Sequence, residues 1–98
     1  MSWTVILEDE NRIEVTSPGK EFSLKSFDEI IKSDEIKLVK YLDPYGDTVF
    51  NSIQMNDLIS DMKYITLIEP DNKVVDEIVL LAQKCLSEPH QYLSFYGD

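Results

Sequence analysis

The residue types that most often act as nucleophiles and metal ligands are scarce, since Cys85 is the only cysteine and His90 the only histidine. A cysteine–histidine nucleophilic pair needs its two side chains within hydrogen-bonding reach. Cys85 falls on the apolar stripe of a predicted helix, which favours a buried packing residue over a nucleophile. His90 follows a proline in a predicted loop, where a local hydrogen bond is the simpler role. A structural zinc site usually takes four Cys or His ligands, more than these two residues supply.

Acidic side chains are abundant enough for pairs to arise by chance. Asp57 and Asp61 lie one turn apart on the predicted polar face of a helix, where we expect a solvated, mutually repelling pair. Asp43, Asp47 and Asn51 surround a predicted turn but do not match the ligand spacing of a calcium loop. The sequence has no glycine-rich phosphate loop, serine elbow or basic cluster. We therefore expect no catalytic residues, no metal site and no cofactor, which predicts a protein that is not an enzyme.

The tripeptide Tyr-Gly-Asp occurs twice, at 45–47 and at 96–98, each time after a predicted strand. One interpretation is a pair of strand-end turns whose glycines adopt a positive φ. The other is an exposed tyrosine beside an aspartate at two places, since tyrosine is a preferred anchor in protein interfaces. The sequence leaves both interpretations open.

Several short segments have the β-branched and aromatic composition of strands. The first two are separated by a polar turn and predict a hairpin, whose second strand alternates apolar and polar residues as a half-buried strand does. A Pro-Tyr-Gly turn separates the third segment from the fourth. The predicted strands are 3–8, 12–16, 36–42, 48–50 and 91–96.

Three helices are predicted from apolar spacing and end signals. Ser26 with Glu29 three residues later resembles a capping box and predicts a short helix near 27–33. A second helix follows a cap at Asn51 or Ser52 and has an apolar stripe from Met55 to Ile65, with Tyr64 to Ile68 readable as helix or strand. A third helix is predicted to follow a cap at Asp71 or Asn72, with an apolar face from Val74 to Cys85.

This order of elements does not alternate strictly between strand and helix. It predicts an α+β fold with a mainly antiparallel sheet of four to five strands and two to three helices packed on it. A length of 98 residues is enough for one hydrophobic core, so we expect a single domain over residues 1–98.

The charge is strongly negative, with 19 acidic residues against nine basic ones and a formal net charge of −10. This balance argues against binding to nucleic acid or to an anionic membrane surface. No apolar run approaches the about 20 residues of a membrane span, and the N-terminus lacks the basic region of a signal peptide. A single cysteine forms no internal disulfide, which fits a cytoplasmic protein.

Two stretches carry a resemblance to known proteins. Residues 43–51 with Gln54-Met55, together with the ending 92–98, resemble a group of short acidic bacterial proteins of unassigned role. In size and charge the chain is also similar to immunity proteins of polymorphic-toxin and contact-dependent growth inhibition systems. That resemblance implies a cytoplasmic protein that binds and blocks one cognate toxin, and it carries over no catalytic residue.

The leading functional hypothesis is an immunity or inhibitor protein that neutralises a cognate toxin with a basic, nuclease-type domain by occluding its active site. The alternative is a general protein–protein interaction module or homodimeric adaptor that pairs through a sheet edge. The sequence leaves the oligomeric state open. The predicted interface comprises the aromatic anchors Trp3, Tyr45 and Tyr96 with the charge partners Asp43, Asp47, Asp57, Asp61 and Asp98.

Overall fold

A computed structural model describes residues 1–97, and it combines an antiparallel sheet with three helices, so the predicted α+β class is confirmed. Asp98 lies outside the described residues. In chain order the elements are β1 (Ser2–Glu8), β2 (Glu14–Thr16), β3 (Phe22–Ser23), α1 (Phe27–Ile30), β4 (Asp47–Asn51), α2 (Met55–Ile68), α3 (Val74–Ser87) and β5 (Tyr92–Gly97), with 3-10 turns at Val39–Tyr41 and Ser52–Gln54.

The last strand of the chain lies inside the sheet, between β1 and β4. It is antiparallel to both neighbours, with Val5 opposite Phe95 on one side and Thr48 opposite Phe95 on the other. On its far side β1 pairs with β2 near Leu7 and with β3 near Trp3, so these two short strands share one edge of the sheet. The strand β4 forms the opposite edge.

The core fills the space between one face of the sheet and the two long helices. Strand alternation directs every second residue of β1 and β5 to this face. Helix α3 contacts both strands and packs against α2, whose apolar stripe is buried in the same core. The opposite face of the sheet is open, with Thr4 and Val49 exposed. The fully buried members of the core include Trp3, Leu7, Phe22, Ile30, Met55, Leu58, Met62, Ile65, Ile78, Leu93 and Phe95.

The predicted strand at 36–42 is wrong, because this segment forms turns and the 3-10 turn Val39–Tyr41. Leu38 and Val39 are adjacent and both buried, which the alternation of a strand at one face does not allow. The backbone N–H groups of Lys37, Leu38 and Val39 are instead bound by a carboxylate of α2, as described below.

Of the three predicted helix caps, one is confirmed and two are wrong. Asn51, one of the two residues predicted to cap α2, caps the turn into this helix through a reciprocal capping box with Gln54. The capping box predicted at Ser26 is wrong, since α1 is a single turn whose cap side chain makes no bond. The cap predicted at Asp71 or Asn72 is also wrong, because Lys73 occupies the N-cap of α3 and no side chain caps it. The amide of Asn72 donates to the Ser23 carbonyl oxygen at 2.8 Å. The segment from Tyr64 to Ile68 continues α2.

Candidate functional site

The two Tyr-Gly-Asp segments meet at one corner of the sheet, where β4 begins and β5 ends. Asp47 lies opposite Tyr96 in the strand register, and the Gly97 N–H donates to the Gly46 carbonyl oxygen at 2.8 Å. The indole N–H of Trp3 donates to the Asp43 carbonyl oxygen at 3.0 Å from the core side. The structure therefore brings together residues that lie at the start, middle and end of the sequence.

The turn before β4 is fixed by its own hydrogen bonds. The Asp43 side chain accepts the Tyr45 N–H at 2.9 Å, and the Asp43 carbonyl oxygen accepts the Gly46 N–H at 3.3 Å. Tyr45 sits at the tip of this turn with 86% of its surface exposed. The turn thus holds a large aromatic side chain in solvent on a backbone that is fixed by hydrogen bonds.

Glycine is required at Gly97 because of close packing. A Cβ atom there would lie 2.5 Å from the Pro44 carbonyl carbon and 2.6 Å from the Asp43 carbonyl oxygen, distances that real Cβ atoms do not adopt. The expectation that the Tyr-Gly-Asp glycines adopt a positive φ is wrong, since that conformation belongs to Gly19 and Arg12. The repeated glycine instead lets β5 pass directly beside the 43–46 turn.

The corner is anionic. Asp43 and Asp47 are both exposed, and within residues 1–97 neither carboxylate forms an ion pair. No lysine or arginine occurs between Lys40 and Lys63, so the whole segment from the turn through β4 into α2 lacks a basic residue. This segment therefore contributes exposed carboxylates to the corner and no positive charge of its own, which favours an approaching cation.

The prediction for Asp61 is wrong, since its side chain is completely buried. Its Oδ1 accepts the Lys37 N–H at 2.8 Å, and its Oδ2 accepts the N–H groups of Leu38 and Val39 at 2.7 and 2.9 Å. Because these bonds use the carboxylate inside the protein, Asp61 positions the segment that leads to the 43–46 turn and presents no charge to a partner.

Two other predicted residues also differ from expectation. Trp3 is fully buried against the rings of Phe22 and Phe27, so the prediction of an interface anchor there is wrong. Asp57 is exposed but pairs with the Lys37 ammonium at 3.5 Å, which partly neutralises it. The predicted contribution of Asp98 concerns a residue outside the described chain.

A buried carboxylate on the open face of the sheet was not predicted. Glu8 is 5% exposed, and it accepts hydrogen bonds from the Ser94 hydroxyl at 2.5 Å and the Tyr96 hydroxyl at 2.6 Å. The Arg12 guanidinium donates to Glu8 at 3.0 Å and to the Tyr96 hydroxyl at 3.0 Å. We call these four residues the Glu8 network. No local spacing could reveal it, because up to 88 residues separate its members.

The Glu8 network holds its charge in place. Burial by itself raises the pKa of the Glu8 carboxyl. Hydrogen bonds from Ser94, Tyr96 and Arg12 together lower it by more than burial raises it, so the pKa lies below its ordinary value of 4.5. The ionised carboxylate thus ties β1 to β5 and orients the Tyr96 ring beside the anionic corner. With three donors on it, this carboxylate is suited to positioning rather than to proton transfer.

The packing interpretation of Cys85 is confirmed. The side chain is fully buried, its thiol donates to the Gln91 carbonyl oxygen at 3.3 Å, and burial raises the pKa of the thiol. His90 is exposed, and its Nδ1 lies 3.8 Å from a carboxylate oxygen of Glu10.

Within residues 1–97 no group of three His, Cys, Asp or Glu side chains is arranged to hold a metal ion. No helix of that same range is long and apolar enough to cross a membrane.

Comparison with known proteins adds no further assignment: no protein-family model matches the chain, and no curated protein or solved structure is significantly similar to it.

Proposed function

We propose that the chain is a binding protein that neutralises a basic partner, and that this partner is a cognate toxin of the nuclease type whose active site is occluded. The observation that carries the proposal is the corner described above, where Tyr45 is 86% exposed between the carboxylates of Asp43 and Asp47, neither of which forms an ion pair within residues 1–97. An immunity role in a bacterial cytoplasm, as the resemblance implies, belongs to the same proposal.

The charge supports this choice of partner. An enzyme that cuts nucleic acid presents a cationic cleft to the phosphates of its substrate. The carboxylates of Asp43 and Asp47 would take the place of those phosphates in the cleft. A net charge of −10 attracts such a surface at long range, and steering of this kind raises association rates to about 10⁸–10⁹ M⁻¹s⁻¹ at low salt.

The geometry supports the role of Tyr45 as an anchor. Interface residues that contribute most to affinity are often tyrosines, and truncating one costs about 2 kcal/mol or more of binding free energy. The hydrogen bonds within the turn and the Trp3 contact order the backbone before binding. Preorganisation of this kind lowers the entropic cost of association.

The test is affinity capture from the cell that makes the protein, with two charge-reversed baits. Asp43→Lys/Asp47→Lys changes the corner, and Asp34→Lys/Glu35→Lys makes the same change, from −10 to −6, at exposed acids elsewhere. We expect the wild-type and control baits to retain a protein with a pI above about nine, and the corner variant to lose it. The captured protein should cut RNA or DNA, and an equimolar amount of the chain should stop it.

A variant with neutral side chains separates the loss of charge from disruption of the turn. Asp43→Asn/Asp47→Asn keeps the oxygen that accepts the Tyr45 N–H while it removes both charges. Association should slow in this variant, and in the wild type it should slow as ionic strength rises. Capture of an acidic partner, or equal capture by all baits, would contradict the proposal.

A further inference from the structure

Among residues 1–97, part of the β4 backbone has no strand partner at the edge of the sheet. Because the Gly97 N–H bonds to the Gly46 carbonyl oxygen, that residue pair is a hydrogen-bonded one. Hydrogen-bonded and non-hydrogen-bonded pairs alternate along an antiparallel ladder. Thr48 and Phe50 therefore direct their N–H and C=O groups to β5, whereas Asp47 and Val49 direct theirs away from the sheet.

The hydrogen bonds of β1 support this assignment of which β4 residues face β5. The Met1 carbonyl oxygen accepts the Leu24 N–H, and the Asp9 N–H donates to the Ile13 carbonyl oxygen, so odd-numbered residues of β1 face β2 and β3. Even-numbered residues of β1 then face their even-numbered partners on β5, for example Ile6 opposite Ser94. The odd-numbered residues of β5 are left to bond β4, as the Gly97 contact requires.

Four backbone groups, the N–H and C=O of Asp47 and Val49, are thus available for a further strand. The N–H of the next outward-facing residue, Asn51, already donates to Gln54 Oε1 at 2.9 Å, which limits the open edge at that end. Large side chains stand exposed just beyond both ends of β4, since Tyr45 and Ile53 are each 86% exposed. An added strand would cover the edge between them.

Charge decides what kind of strand fits. A second copy of this chain would set one anionic edge against another and bring two chains of net charge −10 together. In a two-fold pairing centred on Val49, each Asp47 would also face an Asn51 whose N–H is already used. An extended segment bearing lysine or arginine meets neither obstacle, and its cations would lie beside Asp43 and Asp47.

We propose that the open edge of β4 accepts an extended cationic segment of the partner as an additional strand of the sheet. This inference deepens the proposed function and rests on it, since the segment belongs to the same basic partner. The backbone hydrogen bonds to Asp47 and Val49 set the register of the added segment, and the carboxylates at the corner favour a segment with positive charge.

The probe is a nine-residue peptide that alternates lysine with threonine, added to the ¹⁵N-labelled chain. We expect hydrogen exchange at the Asp47 and Val49 amides to slow at least fivefold at saturating peptide. A second peptide with the same side chains, N-methylated along its central residues, keeps its charge but lacks the backbone donors. It should leave exchange at both amides within twofold. Equal binding of the two peptides would overturn strand addition.

A matched pair of variants locates the contact. Val49 and Val15 are 38% and 39% exposed and lie on opposite edges of the same sheet. Val49→Lys should weaken binding of the unmodified peptide at least tenfold, whereas Val15→Lys should change it less than twofold. Equal losses in the two variants would show a general charge effect and overturn the proposal. Concentration-dependent protection of Asp47 and Val49 without peptide, in a chain that sediments as a dimer, would overturn it in favour of a second copy.

The two proposals fail in different ways. If the peptide does not slow exchange at β4 while the wild-type bait still captures a basic nuclease, only strand addition is wrong. If no basic protein is captured, the proposed function is wrong.

Discussion

The two edges of the sheet differ in continuity and in charge. The β4 edge is one strand of five residues in regular register with β5. The opposite edge is divided between β2, with three residues, and β3, with two, and its pairing with β1 shifts register between Leu7 and Glu8. Short strands and irregularities are the usual means of preventing unwanted pairing at an edge.

Charge follows the same division. Basic and acidic residues alternate along the β2–β3 edge, with Arg12 near Glu14 and Lys20 beside Glu21. The β4 edge has aspartates at its start and no basic residue in sequence until Lys63. The fold thus interrupts one edge of the sheet and leaves the other continuous and rich in carboxylates.

The largest effect is expected from Asp61→Ala, which removes the support beneath the segment that enters the β4 edge. The N–H groups of Lys37, Leu38 and Val39 would lose their acceptor, two of them in buried positions. We expect the free energy of unfolding to fall by about 4 kcal/mol, measured by urea denaturation with circular dichroism. Asp57→Ala, which removes an exposed ion pair, should cost about 0.5 kcal/mol or less. Equal effects at the two positions would contradict the assignment.

A matched pair of glycine substitutions compares the corner beside β4 with the loop between β2 and β3. Gly97→Ala forces a Cβ against the Pro44 backbone and should cost about 3 kcal/mol of unfolding free energy. Gly19→Ala, between β2 and β3, has open space for a Cβ but a φ of 77°, and should cost about 1 kcal/mol. The same denaturation assay reports both values. A smaller loss at Gly97 than at Gly19 would show that the corner yields more easily than its packing indicates.

Glu8→Gln tests the Glu8 network, which lies at the end of β1, between β2 and β5. We expect a loss of about 2 kcal/mol at pH 7, because hydrogen bonds to a carboxylate are stronger than those to an amide. The folded pKa of Glu8 lies below its unfolded value, so its contribution is complete above about pH 4.5 and is lost as the pH falls through the folded pKa. Unfolding free energies from pH 7 to pH 2 should converge for the two proteins. A difference independent of pH would contradict a charged Glu8.

The smallest effect concerns Arg12, whose φ of 64° is a conformation that favours glycine. Arg12→Ala and Arg12→Gly both lose the bonds to Glu8 and Tyr96. Arg12→Gly should nevertheless be about 1 kcal/mol more stable than Arg12→Ala, because only alanine keeps the backbone strain. Thermal unfolding of the two variants measures this difference. Equal stabilities would mean that the turn relaxes when the guanidinium is removed.

Local patterns predicted those elements whose buried residues recur at a regular spacing. The stripe on α2 and the apolar face of α3 appear where they were expected, and so does the terminal strand. The segment 36–42 was predicted wrongly because its apolar residues fit a strand almost as well as a turn. A carboxylate more than 20 residues away decides between the two by binding its N–H groups.

The candidate site could be predicted only in part. Asp43, Tyr45 and Asp47 are exposed at one turn, as their types and the neighbouring proline and glycine indicate. Trp3 and Asp61 belong to the types often found in interfaces and on polar helix faces, yet both are buried. Periodicity does carry a signal for their burial, since Trp3 shares a strand face with Val5 and Leu7, and Asp61 lies three residues after Leu58 on the helix stripe. The N–H groups that Asp61 binds come from another element and have no such local signal.

Composition, spacing and turn chemistry were sufficient for the negative charge, the long helices and the fold class. The charge is a sum over residues, the helices depend on neighbours within a few residues, and the fold class follows from the order of the elements. The order of the strands, the open β4 edge, the buried Asp61 and the Glu8 network depend on groups that folding brings together from distant parts of the chain. The Ser94–Glu8 hydrogen bond, for example, requires β5 to lie beside β1, between β1 and β4. Local sequence patterns therefore do not determine which of the distant strands pair.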